Sequence, residues 1–165
     1  MALTRRAGNA LALGACTIAL GYAFYAQYVL GLVPCHLCIF QRITLAATAS
    51  AFLLAALHGP GRAGARVYAV LIALSAGSLA ATAGRHVWIQ LQPPGAVPGC
   101  GADLDFMLEI FPVYEVVLKV FRAGGECQKI DWTFLGLSMP GWVLIFAVTL
   151  GTFGLWNNLR RFAPR

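Results

Sequence analysis

A chain of 165 residues has room for one domain, but 59% hydrophobic and only 11% charged residues exclude an ordinary soluble one, in which about a quarter of positions carry charge. The net charge of +6 does not point to nucleic acid, because the charges are segregated rather than clustered into a phosphate-binding patch. All the acids (Asp103, Asp105, Glu109, Glu115, Glu126, Asp131) share one segment, whereas Arg5, Arg6, Arg62, Arg66, Arg160, Arg161 and Arg165 lie at the termini and in one short loop, which is a signature of membrane topology.

In chain order, a short basic start is followed by a run without charge from Ala7 to Gln41. About 20 apolar residues in a helix cross a bilayer core, so residues 10–30 are predicted to span once; the run is too long for the apolar core of a cleaved signal peptide. Gly31 and Pro34 break this helix. A second span is predicted over 38–57, ending at His58-Gly59-Pro60-Gly61, and a third over 67–91, ending at Gln92-Pro93-Pro94-Gly95. The polar stretch 92–138 follows, and a fourth span over 140–159 precedes the terminal arginines. The expectation is an all-α membrane protein, a four-transmembrane-helix bundle forming one integral membrane domain over 1–165. Within the long loop, Pro112 to Phe121 places Val113, Val116, Val117, Val120 and Phe121 on one helical face; about ten residues cannot span, so a short helix lying in the membrane interface is expected, the plainer alternative being a packed helix of an ordinary extracytoplasmic loop.

Basic residues mark the cytoplasmic side. Both termini and the 59–66 loop are therefore predicted to be cytoplasmic, and the 31–37 and 92–138 loops to face outward. That arrangement puts Cys35, Cys38, Cys100 and Cys127 on one outer side, which in a bacterium is the periplasm, where disulfides persist. Cys16 stands alone inside the first span and reads as a small buried hydrophobe.

The chemistry centres on Pro34-Cys35-His36-Leu37-Cys38-Ile39-Phe40-Gln41-Arg42. Two cysteines three apart can close a small disulfide that exchanges readily with thiolates, and a helix beginning here could lower the pKa of its first-turn thiol. Arg42, one turn beyond Cys38, can place a cation on the same surface and stabilise a thiolate or an anionic acceptor. Arg42 and Arg85 are the charges nearest the apolar spans, where ionisable residues are functional suspects; the plainer alternative is that they snorkel to the interface. His86 can supply a hydrogen bond or a proton to a bound carbonyl, or simply be solvated, and His36 can tune a neighbouring thiolate. Cys100 and Cys127 fit a disulfide closing a loop. Zinc sites favour two tight C-x-x-C knuckles, so this spacing suits zinc poorly and no metal is expected. No G-x-x-x-x-G-K-[ST], H-E-x-x-H or G-x-S-x-G pattern is present.

Taken together, P-C-x-L-C-x-x-x-R after the first span, a cysteine pair in the second outer loop, and Asp131-Trp132-Thr133-Phe134-Leu135-Gly136-Leu137-Ser138-Met139-Pro140 entering the fourth span resemble the disulfide-bond formation protein DsbB family across essentially the whole chain. The resemblance implies a thiol:quinone oxidoreductase of the bacterial inner membrane that reoxidises a soluble DsbA-type thiol oxidase of the periplasm and passes the electrons to ubiquinone or menaquinone. By the same resemblance Cys100 forms a transient mixed disulfide with the partner and Cys127 is its mate. Cys35 exchanges with the loop cysteines, Cys38 is the thiolate beside the quinone, Arg42 stabilises charge there, and His86 lies near the quinone. The His-Leu interior of the C-x-x-C motif, and Gln41 where relatives also carry acids, bear on redox tuning. Rival expectations are a paralogue serving a dedicated thiol oxidase, a vitamin K epoxide reductase-like enzyme, or a membrane scaffold with structural disulfides or zinc.

Overall fold

The computed structural model describes residues 4–99, 104–122 and 124–160. Four helices are long and apolar enough to cross a membrane: α1 (Arg5–Tyr28), α2 (His36–His58), α3 (Arg62–Gln90) and α6 (Met139–Leu159). Between α3 and α6 lie α4 (Leu104–Ile110), α5 (Val113–Arg122), a 3-10 turn (Gly125–Gln128) and a hairpin of β1 (Thr133–Phe134) and β2 (Leu137–Ser138).

Helix ends follow local chemistry. The Thr4 hydroxyl accepts from the Ala7 amide at 3.2 Å and starts α1, five residues ahead of the predicted span. Gly59, at φ 54, closes α2 in the left-handed conformation that glycine adopts without a Cβ clash. Pro140 in the first turn of α6 gives up an amide that has no helical partner anyway.

The spanning helices carry apolar residues all round, as membrane spans do. Ile18, Leu54, Leu74 and Val148 point outward, whereas Phe52, Ile72, Leu79 and Cys16 are fully enclosed. Helix α3 packs along α2 and α6, and α1 packs along α2. In lipid the association of such helices depends on close fit and small residues more than on excluded water. Gly154 shows this: a Cβ there would stand 2.5 Å from Ile72 Cγ2 and 3.1 Å from the Phe52 ring.

The bundle has two dissimilar ends. At the end holding both termini of the helical chain, Asn9, Asn157 and Asn158 are buried and hydrogen-bonded to one another. At the other end a second apolar cluster of Leu37, Ile89, Val97, Met107, Val116, Val120 and Cys127 caps the bundle. Helix α5 is committed to this cap through Val116 and Val120, while Val113 remains exposed, so only part of the predicted apolar face turns toward the protein.

A candidate thiol exchange site at the capped end

The site begins at the start of α2. Cys35 is its N-cap, with extended backbone and no side-chain cap, and its carbonyl accepts the first helical bond from the Ile39 amide at 3.2 Å. Cys38 lies one turn further, and the two sulfurs are 3.2 Å apart as free thiols. Leu37, between them, is wholly buried in the cap. The C-x-x-C motif is thereby held with one side in the core and its sulfurs at the edge of a cavity.

The loop cysteine is delivered by backbone contacts. The Gly124 and Gly125 amides donate to the Pro98 carbonyl at 3.0 and 3.1 Å, and the Cys127 amide donates to the Gly124 carbonyl at 2.8 Å. Glycine is required twice here. Gly124 has φ 121, and a Cβ on Gly125 would stand 2.6 Å from the Val97 carbonyl oxygen. This clasp sets the 3-10 turn on Ile89 and Leu37, with Cys127 only 1% exposed. The partner predicted for it, Cys100, lies outside the described residues.

Helix α3 contributes His86, 2% exposed. Its Nε2 is 3.8 Å from Cys35 Sγ and 3.2 Å from the Cys127 carbonyl oxygen. Its Nδ1 is 3.2 Å from the amide nitrogen of Gln41, itself buried on α2. Nδ1 accepting from Gln41 leaves the proton on Nε2, where it donates to the Cys127 carbonyl. His86 thus ties together both helices and the loop. The sulfurs of Cys35 and Cys127 and a His86 ring nitrogen all lie within 4.8 Å of one another.

Electrostatics at Cys35 oppose the expectation of an easily ionised thiol. The hydrogen bond with Cys127 is the largest influence and raises its pKa; the bond with Cys38 acts the other way, burial adds to the rise, and the outcome is about 12. Two thiols sharing one space cannot both ionise cheaply. A second contact that sequence spacing did not indicate joins the same pieces: His36 Nδ1 is 3.3 Å from Glu126 Oε2, bridging the C-x-x-C interior to the residue before Cys127.

The two arginines separate. Arg42, half-buried, is tied to α1: its guanidinium donates to the Gln27 side-chain oxygen and, at 2.8 Å, to the Ala23 carbonyl. Arg85 donates from Nε to the Phe121 carbonyl at 2.9 Å and lies over the Trp88 ring, so it anchors the end of α5.

Arg42, His86, Cys35, Cys38 and Cys127 line one cavity of about 570 Å³, between α1, α2 and the start of α6. Tyr22, Trp132 and Trp142 also line it. Tyr22 meets Trp132 edge to face at 6.2 Å, Trp132 stacks on Phe134, and Trp142 donates from its indole N–H to the Phe134 carbonyl at 3.0 Å. The hairpin carrying Phe134 turns through Leu135 and Gly136, both at positive φ, which suits a two-residue turn.

The family described as "Disulfide bond formation protein DsbB" matches residues 5–157. The chain belongs to the DsbB family. "Disulfide bond formation protein B" of Chromobacterium violaceum is 46% identical over 159 residues, covering 96% of each chain. The protein of that name from Marinobacter nauticus is 44% identical over 91% of this chain and 89% of its own. The one from Methylococcus capsulatus is 47% identical over 88% of this chain and 90% of its own.

Within this DsbB chain, Cys35, Cys38, Cys127, Arg42 and His86 line one cavity. The sequence marks Gln41 and His36 as tuning residues but does not indicate their partners, His86 for Gln41 and Glu126 for His36. Gln41 does stand three positions after Cys38, on the same helical face, which is the signal that could have linked it to the site.

Proposed function

We propose that the protein is a membrane thiol:quinone oxidoreductase that reoxidises a DsbA-type thiol oxidase and so sustains protein disulfide formation. The observation that carries this reading is the placement of Cys127 beside Cys35, with Cys38 next in line at a cavity that also contains Arg42. Three sulfurs within exchange distance form a path for electrons from a loop to a buried acceptor site.

The exchanges balance as follows. A thiolate of the reduced partner attacks Cys100 of a Cys100–Cys127 disulfide, forming a partner–Cys100 bond and releasing Cys127. Cys127 attacks Cys35 of the Cys35–Cys38 disulfide, forming Cys127–Cys35 and releasing Cys38 as thiolate. The partner's second thiol displaces Cys100, which then attacks Cys127 and restores the loop disulfide, leaving Cys35 and Cys38 reduced. A quinone, ubiquinone or menaquinone, held beside Cys38, His86 and Arg42, would supply the two-electron, two-proton oxidant that the Cys35–Cys38 dithiol needs to close again to the disulfide.

The cavity suits such a ring. Its lining is mostly aliphatic and aromatic and includes Cys38, His86 and Arg42, a few placed polar groups in an apolar pocket. Arg42 holds a positive charge close to where Cys38 becomes anionic, and its bonds to Gln27 and Ala23 fix it there before any charge develops. The segregated arginines support placing this end in the periplasm of an inner-membrane protein, with both termini cytoplasmic and the lipid around the four spans.

Purified protein given reduced DsbA-type oxidase and a quinone should oxidise the dithiol with one quinone consumed per disulfide. Cys38→Ser should lose quinone reduction. Turnover retained by that variant, or oxidation independent of quinone, would overturn the reading.

A further inference from the structure

We propose that the reduced capped end is also a binding site for one thiophilic divalent cation, Zn²⁺ foremost, held by Cys35 Sγ, Cys127 Sγ and His86 Nε2. The three side chains come from α2, the 3-10 turn and α3, so no spacing along the chain reveals them as a set. Their donor atoms already lie within 4.8 Å of one another. Zn–S bonds of about 2.3 Å and Zn–N bonds of about 2.0–2.1 Å put tetrahedral ligand atoms about 3.5–3.8 Å apart. Cys35 Sγ and His86 Nε2, at 3.8 Å, meet that without adjustment, and the other pairs need close by no more than about 1 Å.

The surroundings are those of a site rather than of a chance triad. Cys127 and His86 are almost wholly buried, so their orientations are set by packing. Cys38 Sγ, 3.2 Å from Cys35 Sγ, is in range to fill the fourth position and give a Cys3His set. Gln41 stands behind the histidine at 3.2 Å from Nδ1. Ligation through Nε2 moves the imidazole proton to Nδ1, and the Gln41 carboxamide, turned about its own axis, presents its oxygen to accept it. Metal-bound histidines regularly have such an acceptor behind them. Access is provided by the cavity that all four residues line, and Arg42 on its wall offsets the extra negative charge of a third thiolate.

Binding takes one proton from each thiol that becomes a ligand and transfers no electrons. The site therefore exists only when Cys35 and Cys127 are thiols; either disulfide withdraws a donor. Metal in turn holds Cys127 and Cys35 apart from exchange, so the cation and the relay compete for the same sulfurs. The binding geometry stands whether or not a quinone is the acceptor.

The test is a titration of the full-length protein in detergent with Co²⁺ as the probe, after reduction and again after oxidation, in the absence of quinone and partner. The reduced protein should take up one Co²⁺ per chain with a thiolate-to-cobalt charge-transfer band, and Zn²⁺ should displace it. The oxidised protein should give no band. His86→Ala and Cys127→Ser should each weaken binding at least about tenfold and Gln41→Leu about tenfold, while Cys16→Ser leaves it unchanged. An equal band in the oxidised protein, no band in the reduced one, or binding indifferent to both His86→Ala and Cys127→Ser would overturn the proposal, the last outcome showing the Cys35–Cys38 dithiol acting alone. The redox comparison needs no substitution and decides the matter even if a variant fails to fold. Dithiol oxidation measured in metal-free buffer reads the quinone reaction separately.

Discussion

The two ends of the bundle bury polar groups in opposite ways. At one end, Asn9 Oδ1 accepts from both Asn157 and Asn158 at 3.0 Å, Asn9 donates back to Asn158 at 3.2 Å, and Asn157 also donates to the Arg5 carbonyl. Arg5 reaches the Pro60 and Arg160 carbonyls from the same region. These are ordinary hydrogen bonds, mutually satisfying and without an alternative arrangement. At the other end the contacts are thiol to thiol and thiol to imidazole, at 3.2 and 3.8 Å. Sulfur bonds weakly, and each sulfur there has more than one neighbour. A network that must change partners is built from weak, exchangeable contacts, and one that must hold is built from amides.

The sharpest way to break this contrast is to remove an exchanging group. Cys127→Ser should reduce partner-to-quinone turnover to background, a loss of about a thousandfold or more, without changing thermal stability by more than a few degrees. A variant that kept turnover in a stopped-flow assay would show that the loop sulfur is a bystander.

Next in size is the reactivity of Cys35. With its pKa pushed up to about 12, the thiol form dominates at neutral pH, and the thiolate fraction rises about tenfold per pH unit up to that value. Alkylation of Cys35, followed by mass spectrometry of the reduced protein, should keep accelerating from pH 8 to 11, where an ordinary thiol levels off near 9. Cys127→Ser removes the largest cause of the rise, so it should speed alkylation at pH 8. A plateau near pH 9 in the unaltered protein would contradict the assigned cause.

Arg42 tests the boundary between binding and exchange. Arg42→Gln removes a charge-assisted contact of about 1.5–3 kcal/mol and should raise the apparent quinone KM about tenfold. Arg42→Lys keeps the charge but not the forked contacts to α1 and should fall between. An unchanged KM in steady-state kinetics for both variants would leave the residue as a strut between α1 and α2.

The smallest effect belongs to the amide end. Asn157→Ala removes one of the two donors to the buried Asn9 carboxamide oxygen, leaving Asn158 as its partner, and should cost about 1 kcal/mol of stability, visible in a denaturant titration, while turnover measured well below the unfolding transition stays unchanged. A matching loss of turnover would show that the two ends are coupled.

These differences mark what a sequence discloses. The four spans are legible because long charge-free runs have one stable state in a bilayer, with every backbone amide bonded inside a helix. The C-x-x-C pair and its arginine are legible because they share one helix, where spacing is geometry. Cys127 over Cys35 is not, because it depends on the Pro98 carbonyl receiving two glycine amides from residues more than twenty positions away. His86 with Gln41, and His36 with Glu126, join separate elements across 45 and 90 positions and leave no periodicity to read. The early start of α1 turns on one hydroxyl, Thr4, outside the apolar run.

The asparagine cluster has a consequence for synthesis. Asn9 and Asn158 are 149 positions apart, and at about 5–20 residues per second the ribosome needs roughly 7–30 s to supply the second after the first. For that interval α1 is in place with an amide made for partners that do not yet exist. Helix α6 is the one that satisfies the first. Closure of this end of the bundle therefore waits for α6 to emerge, and a polypeptide that stops short of α6 carries its own mark of incompleteness near the start of α1.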